Sequence, residues 1–257
     1  MSAERPLFLA DLTTEEAAEA VGRAPVVIIP AGAYEQHGPA LPIATDTVRA
    51  ERIAALVGAR LAGRVVVGPS LPVGVSPHHM AFAGTVTLTT ATFAAVVREY
   101  VASLRRHGWR RFLVITGHGG NNAALTTVAQ DLLVADPEVR FAWTPVTALA
   151  ASVIAGLGVS EVHGHSGEAE TAQMLALAPE SVRRDRLTAG AVRLDALKPE
   201  ARLARTFPQP SLTLPYDELS ANGVLGDPTT VTADDGRAIV DAVVERLCAF
   251  VEEWLDL

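Results

Sequence analysis

The stretch Pro25-Val-Val-Ile-Ile-Pro-Ala-Gly-Ala-Tyr-Glu-Gln-His-Gly-Pro39 decides how this chain is to be read. Its opening run is apolar and β-branched, the pattern of a strand buried on both faces. A polar, glycine-bearing segment follows at once, carrying Glu35 and His37. Open parallel sheets bind ligands just beyond the carboxyl ends of their strands, so the chemistry is expected to start there. Residues two apart on an extended segment share a face, which puts Glu35 and His37 on one side. Asp46 follows after a turn, near the start of the next helix, where the dipole favours a carboxylate.

Working outward, residues 65–67, 112–116 and 140–144 repeat the buried-strand pattern. Residues 47–61, 92–106 and 122–134 carry apolar side chains at helical spacing, and short strands alternating with helices predict βαβ units. The expected fold is α/β: one domain over residues 1–257, with a mostly parallel central sheet and helices on both faces. A last helix is predicted from Thr232, with Asp235 completing a capping box, to about Trp254. Residues 141–159 hold no charge, but Pro145, Gly156 and Gly158 interrupt them. They read as a buried strand over 141–146 and then a loop or short helix, not as a membrane span. Residues 183–220 are the least regular, with four prolines, and read as a flap, a subunit-contact arm or a plain surface excursion.

The 257 residues are 49% hydrophobic and 19% charged, enough apolar surface to exclude disorder. A net charge of −8 argues against nucleic acid as a partner. Cys248 is the only cysteine, which excludes an intrachain disulfide and a zinc–thiolate cluster and fits a reducing cytoplasm. The N-terminus shows no signal-peptide pattern.

Two further segments concentrate cation-binding side chains. Thr116-Gly-His-Gly-Gly-Asn-Asn122 follows a strand and opens a helix. It reads either as a phosphate cradle, without the usual lysine, or as a loop placing His118 as a ligand, with Gly119 and Gly120 leaving room for substrate. Glu161-Val-His-Gly-His-Ser-Gly-Glu-Ala-Glu-Thr171 offers two histidines and three acids. There Glu168 either ligates or caps a helix, and His165 is a ligand, a proton shuttle or a structural residue. Carboxylates with neutral imidazoles suit zinc, manganese or iron(II). Glu35, His37, Asp46, His118 and Glu168 exceed the needs of one ion; they suit two divalent metals about 3.5–4 Å apart, with one shared carboxylate. Such a centre activates water and polarises a carbonyl, which predicts hydrolysis of an amide, imide or related C–N bond.

The stretches 32–46, 82–89 (Phe-Ala-Gly-Thr-Val-Thr-Leu-Thr), 116–122, 165–171 and 222–229 (Asn-Gly-Val-Leu-Gly-Asp-Pro-Thr) together resemble the creatininase family of metal-dependent amidohydrolases. The resemblance implies an α/β domain, a two-metal centre and a ring-shaped homohexamer. Carried over, Glu35, Asp46 and His118 hold one metal, while His37, Asp46 and Glu168 hold the other. His165 then matches the histidine that handles the proton of the leaving nitrogen. Gly119-Gly120 stand where creatinine-hydrolysing members carry a Tyr-Glu pair, so the last ligand falls to Glu168 and creatinine is not the expected substrate. Residues 222–229 also resemble the branch that trims the mycofactocin precursor peptide. The expected substrate is therefore a small amide or a short peptide. His79 and His163 are candidate substrate contacts. The competing readings are a peptidase, an inactive metal-binding oligomer and a phosphate-binding module.

Overall fold

The structure is a computed structural model, and it describes residues 5–206 and 210–257. Four strands, β1 (Val26–Ala31), β2 (Val65–Val67), β3 (Arg111–Thr116) and β4 (Arg140–Pro145), form one all-parallel sheet in the order β2-β1-β3-β4. Nine α-helices follow in chain order among the described residues. They are α1 (Thr14–Arg23), α2 (Thr45–Arg60), α3 (Thr90–Arg106), α4 (Asn122–Ala135), α5 (Ala151–Gly156), α6 (Glu168–Leu177), α7 (Pro199–Arg205), α8 (Tyr216–Leu219) and α9 (Ala233–Leu255).

The sheet alternates its side chains between two cores, as its pleat requires. Val27, Ile29, Phe112 and Val114 face the core built with α1, α3 and α4. Val26, Ile28, Leu113 and Ile115 face the one built with α2, α6 and α9. Full burial of each large apolar side chain stabilises the fold by roughly 1.5–3 kcal/mol. Helices do cover both faces. The Thr232–Asp235 capping box forms as expected at the start of α9, and Thr13 with Glu16 makes a second at α1.

The sequence reading needs two adjustments. Helix α2 begins at Thr45, so Asp46 lies inside its first turn. Strand β4 ends at Pro145 and is half-buried rather than buried, because it is the outer edge of the sheet. The uncharged run 141–159 folds as expected, into β4, a 3-10 turn and the short α5, and no helix of the described residues is long and apolar enough to cross a membrane. The described residues of 183–220 carry short helical pieces. Part of them folds over the strand ends, where Arg205, Leu212, Leu214 and Tyr216 line a cavity.

Candidate metal centre

Strands β1 and β3 are neighbours, yet the chain leaves them toward opposite edges of the sheet. That reversal opens a crevice at their carboxyl ends. The loop after β1 delivers Glu35 and His37, the loop after β3 delivers His118, and α2 brings Asp46 in from above. Glycine lets these pieces touch. A Cβ on Gly32 would lie 2.3 Å from Thr47 Cα, and one on Gly117 would lie 2.2 Å from the Asp46 carbonyl oxygen. The first turn of α2 is thus seated backbone-to-backbone against both strand ends.

The imidazoles are locked by backbone carbonyls. His118 Nε2 donates to the Val75 carbonyl at 2.9 Å, which turns Nδ1 toward Glu35 Oε1 and Asp46 Oδ2, each 3.2 Å away. His37 Nδ1 donates to the Glu35 carbonyl at 3.2 Å and turns Nε2 toward Asp46 Oδ1 and Glu170 Oε2, each 3.5 Å away. His165 Nε2 donates to the Gln36 carbonyl at 2.8 Å, leaving Nδ1 3.6 Å from Glu35 Oε1 and 4.0 Å from Glu170 Oε2. A carbonyl can only accept, so the donating nitrogen carries the proton and the other presents a lone pair. Three ring nitrogens therefore face three buried carboxylates, a set that attracts when a cation lies between them or a proton sits on the imidazole. Both Glu35 oxygens, His37 Nε2 and Asp46 Oδ2 are buried without a hydrogen-bond partner. The two oxygens of Asp46 face different imidazoles, as a bridging carboxylate would.

Burial pushes Asp46 up, but His37 and His118 outweigh it and hold the carboxyl well below its usual range. Burial opposes a proton on His118, but Glu35 and Asp46 push its pKa up to about 10. Glu35 is raised, by burial and by the charge of Asp46. His165 is pushed down to about 3, first by burial and then by His37. The carboxylates of the cluster thus draw positive charge onto His37 and His118, where a divalent cation would supply it directly.

Glu168 is the one predicted ligand the fold turns away. Its Oε1 accepts from Ser160 N, Ser160 Oγ and Asp227 N at 2.9, 2.5 and 2.9 Å. Its place beside His37 belongs to Glu170. Both lie in the first turn of α6, and two helical positions are separated by about 200° around the axis, so one acid facing the cluster excludes the other. Ser166 sets the turn before α6. It is the one non-glycine residue with positive φ, 52°, among those described; its N–H holds Glu170 Oε2 at 2.7 Å and its hydroxyl holds the His37 carbonyl at 2.7 Å. Strained backbone of this kind costs of order 1–3 kcal/mol and persists where its surroundings fix it.

Arg49, one turn after Asp46 and fully buried, is a component the sequence reading missed. It donates to Asp46 Oδ1 at 3.1 Å, to Glu170 Oε1 at 2.7 Å and to the Gly117 carbonyl at 3.1 Å. Burial raises Glu170, but Arg49 and His37 bring it down to about 2. A helix-interior arginine reads in sequence as a solvated face, and nothing local marks this one.

The remaining candidates divide. His79 is buried, with Nε2 3.5 Å from Glu35 Oε1 and Nδ1 accepting from Gln36 Nε2 at 2.9 Å. His78 stacks parallel to His118 at 5.7 Å and, like His118, can offer a nitrogen close to Glu35. His163 stays out of the cluster; its Nδ1 bonds the Ser160 carbonyl, and it lines a neighbouring chamber. A Cβ on Gly119 would meet open space, whereas one on Gly120 would lie 2.3 Å from His118 Nε2. Gly119 thus leaves room, and Gly120 lets His118 reach its carbonyl. The cluster opens on a cavity of about 330 Å³ that both glycines line.

Residues 10–251 match the family described as creatinine amidohydrolase, Creatininase. The chain is 35% identical over 240 residues to the mycofactocin precursor peptide peptidase of Mycobacterium tuberculosis (strain ATCC 25618 / H37Rv), spanning 90% of this chain and 86% of that one. It is 28% identical over 274 residues to the creatinine amidohydrolase of Pseudomonas putida, spanning 97% of each. Among solved structures, a manganese form of creatininase superposes with a TM-score of 0.76 at 25% identity, covering 97% of this chain and 98% of that one.

Proposed function

The chain belongs to the creatininase family of hydrolases, and from that premise we propose that it cleaves a C–N bond at a centre of two divalent metals, zinc, manganese or iron(II). The residues fit such a pair. Glu35, His118 and one oxygen of Asp46 would hold one ion; His37, Glu170 and the other oxygen would hold the second. The observation that carries this reading is the set of carbonyl-locked imidazoles facing buried carboxylates, with both Glu35 oxygens, Asp46 Oδ2 and His37 Nε2 left without a hydrogen-bond partner. Ions held there lower the pKa of water and draw electron density from a carbonyl oxygen.

The protein's own groups do the rest. Gly119 leaves space for the scissile group beside His118. His165, anchored through Nε2, offers Nδ1 to take a proton from the attacking water and return it to the leaving nitrogen. Arg49 keeps Asp46 and Glu170 ionised and oriented. Substrate is a small amide, cyclic imide, formamide or short peptide, and the working form is a cytoplasmic homo-oligomer, a hexamer by likeness to the family.

Elemental analysis of purified protein, with a screen over hydantoins, lactams, formamides and short peptides, tests the reading. Expected are about two metals per chain, activity lost on chelation and activity regained with zinc, manganese or iron(II). Active enzyme that holds no metal would sink it.

A further inference from the structure

We propose that the cavity wall beside the metal cluster is an anion subsite formed by Arg205 and Tyr216, and that the amide hydrolysed here carries a carboxylate beside an apolar side chain. The substrate half of this inference rests on the hydrolase reading; the subsite does not.

Arg205 ends α7 and lines both the cavity over the cluster and the chamber next to it. Its Nη2 donates to the His163 carbonyl at 2.5 Å. Among the described residues that is its one side-chain hydrogen bond and it has no carboxylate partner, so guanidinium donors remain for a ligand in the cavity it lines. Tyr216 closes the same cavity. Its ring is fixed 4.0 Å from His79 and edge-on to His165 at 5.0 Å, and its hydroxyl makes no hydrogen bond among the described residues. Burial pushes that hydroxyl's pKa up, so it remains a donor. An arginine and a phenol lining one cavity offer N–H and O–H donors, the groups that bind a carboxylate.

The adjoining chamber, about 590 Å³, shares Gly117, Gly119, Glu170 and Arg205 with the cavity over the cluster. Its far walls are apolar, with Pro145, Ala148, Ala151, Ile154 and Val159. One molecule can therefore set its carbonyl toward the cluster, its carboxylate on Arg205 and an apolar side chain in the chamber. An acylated apolar amino acid has that shape. The three acids of the cluster would repel such an anion alone, but two divalent ions and Arg49 reverse the sign of the local charge.

The test titrates N-acetyl-L-leucine and N-acetyl-L-leucinamide, which differ only in the carboxylate, into metal-loaded protein, and follows hydrolysis separately. The acid is expected to bind about 10- to 100-fold tighter than the amide. Arg205→Met should level the two, Arg205→Lys should restore part of the preference, and Tyr216→Phe should weaken the acid alone by a few-fold. Should Arg205→Met not fold, the lysine and phenylalanine variants still decide. Equal binding of the two probes overturns the proposal, as does failure of the acid to bind at all. A preference that survives Arg205→Met overturns it too, since the metals rather than Arg205 would then read the carboxylate. Preferential binding with no hydrolysis of any amide supports the subsite and sinks the hydrolase reading; hydrolysis of both probes with equal affinity does the reverse.

Discussion

The floor and the cover of the cavity are built by opposite means. The floor comes from strand ends and the first turns of α2 and α6, with every acid and imidazole of the cluster buried. Backbone carbonyls, the Arg49 fork and glycine contacts fix each group. The cover comes from residues 199–206 and 210–219, which carry two short helices, with Leu212 38% exposed. Among the described residues its groups hold few side-chain bonds: Arg205 has one carbonyl, and Tyr216 has ring contacts alone. The difference separates two tasks. Charge chemistry needs groups held to a fraction of an ångström, and only rigid elements do that; selecting a substrate needs a surface that can vary without disturbing them.

The largest effects should come from the floor. Glu170→Gln keeps the size but removes the anionic ligand, so one metal should be lost and kcat should fall by about 10³-fold or more. Glu168→Gln, two residues away, should keep both metals and cost only the stability of its bonds to Ser160 and Asp227. Metal content and kcat of the two variants decide; a metal lost from the Glu168 variant and kept in the Glu170 variant would reverse the geometry described above.

His165→Ala is the intermediate case. It removes a proton carrier, so activity should fall by roughly 10²–10⁴-fold, with metal content unchanged. Loss of metal in this variant would make His165 a ligand instead. At the small end, Leu212→Ala in the cover should change stability by less than about 0.5 kcal/mol and shift KM rather than kcat. A melting curve and steady-state kinetics check it. A large fall in melting temperature there would erase the contrast between floor and cover.

The floor was also the more legible half in sequence. Strands β1 and β3 show as unbroken apolar runs because both of their faces are buried, and the loops after them could be located from that fact alone. Glu35, His37 and His118 stand within a few residues of those strand ends, Asp46 opens the helix that follows β1, and the fold brings all four together. Glu170 was passed over for Glu168 because the choice depends on where α6 starts, and a shift of two residues turns the opposite face inward. Arg49 was invisible because its partners lie 3, 68 and 121 positions away along the chain. Arg205 and Tyr216 sit in a stretch without periodicity, so no pattern could place them over the site.

The glycines at the strand ends carry a consequence for inheritance. Gly32, Gly117 and Gly120 carry no side chain and no charge, yet each stands where any side chain would collide with α2 or with His118. Every missense change at those codons adds at least a Cβ. The genetic target for silencing this site is therefore wider than its set of acids and imidazoles. A lineage that drifts at position 117 can lose the reaction while every reactive group remains spelled out in its gene.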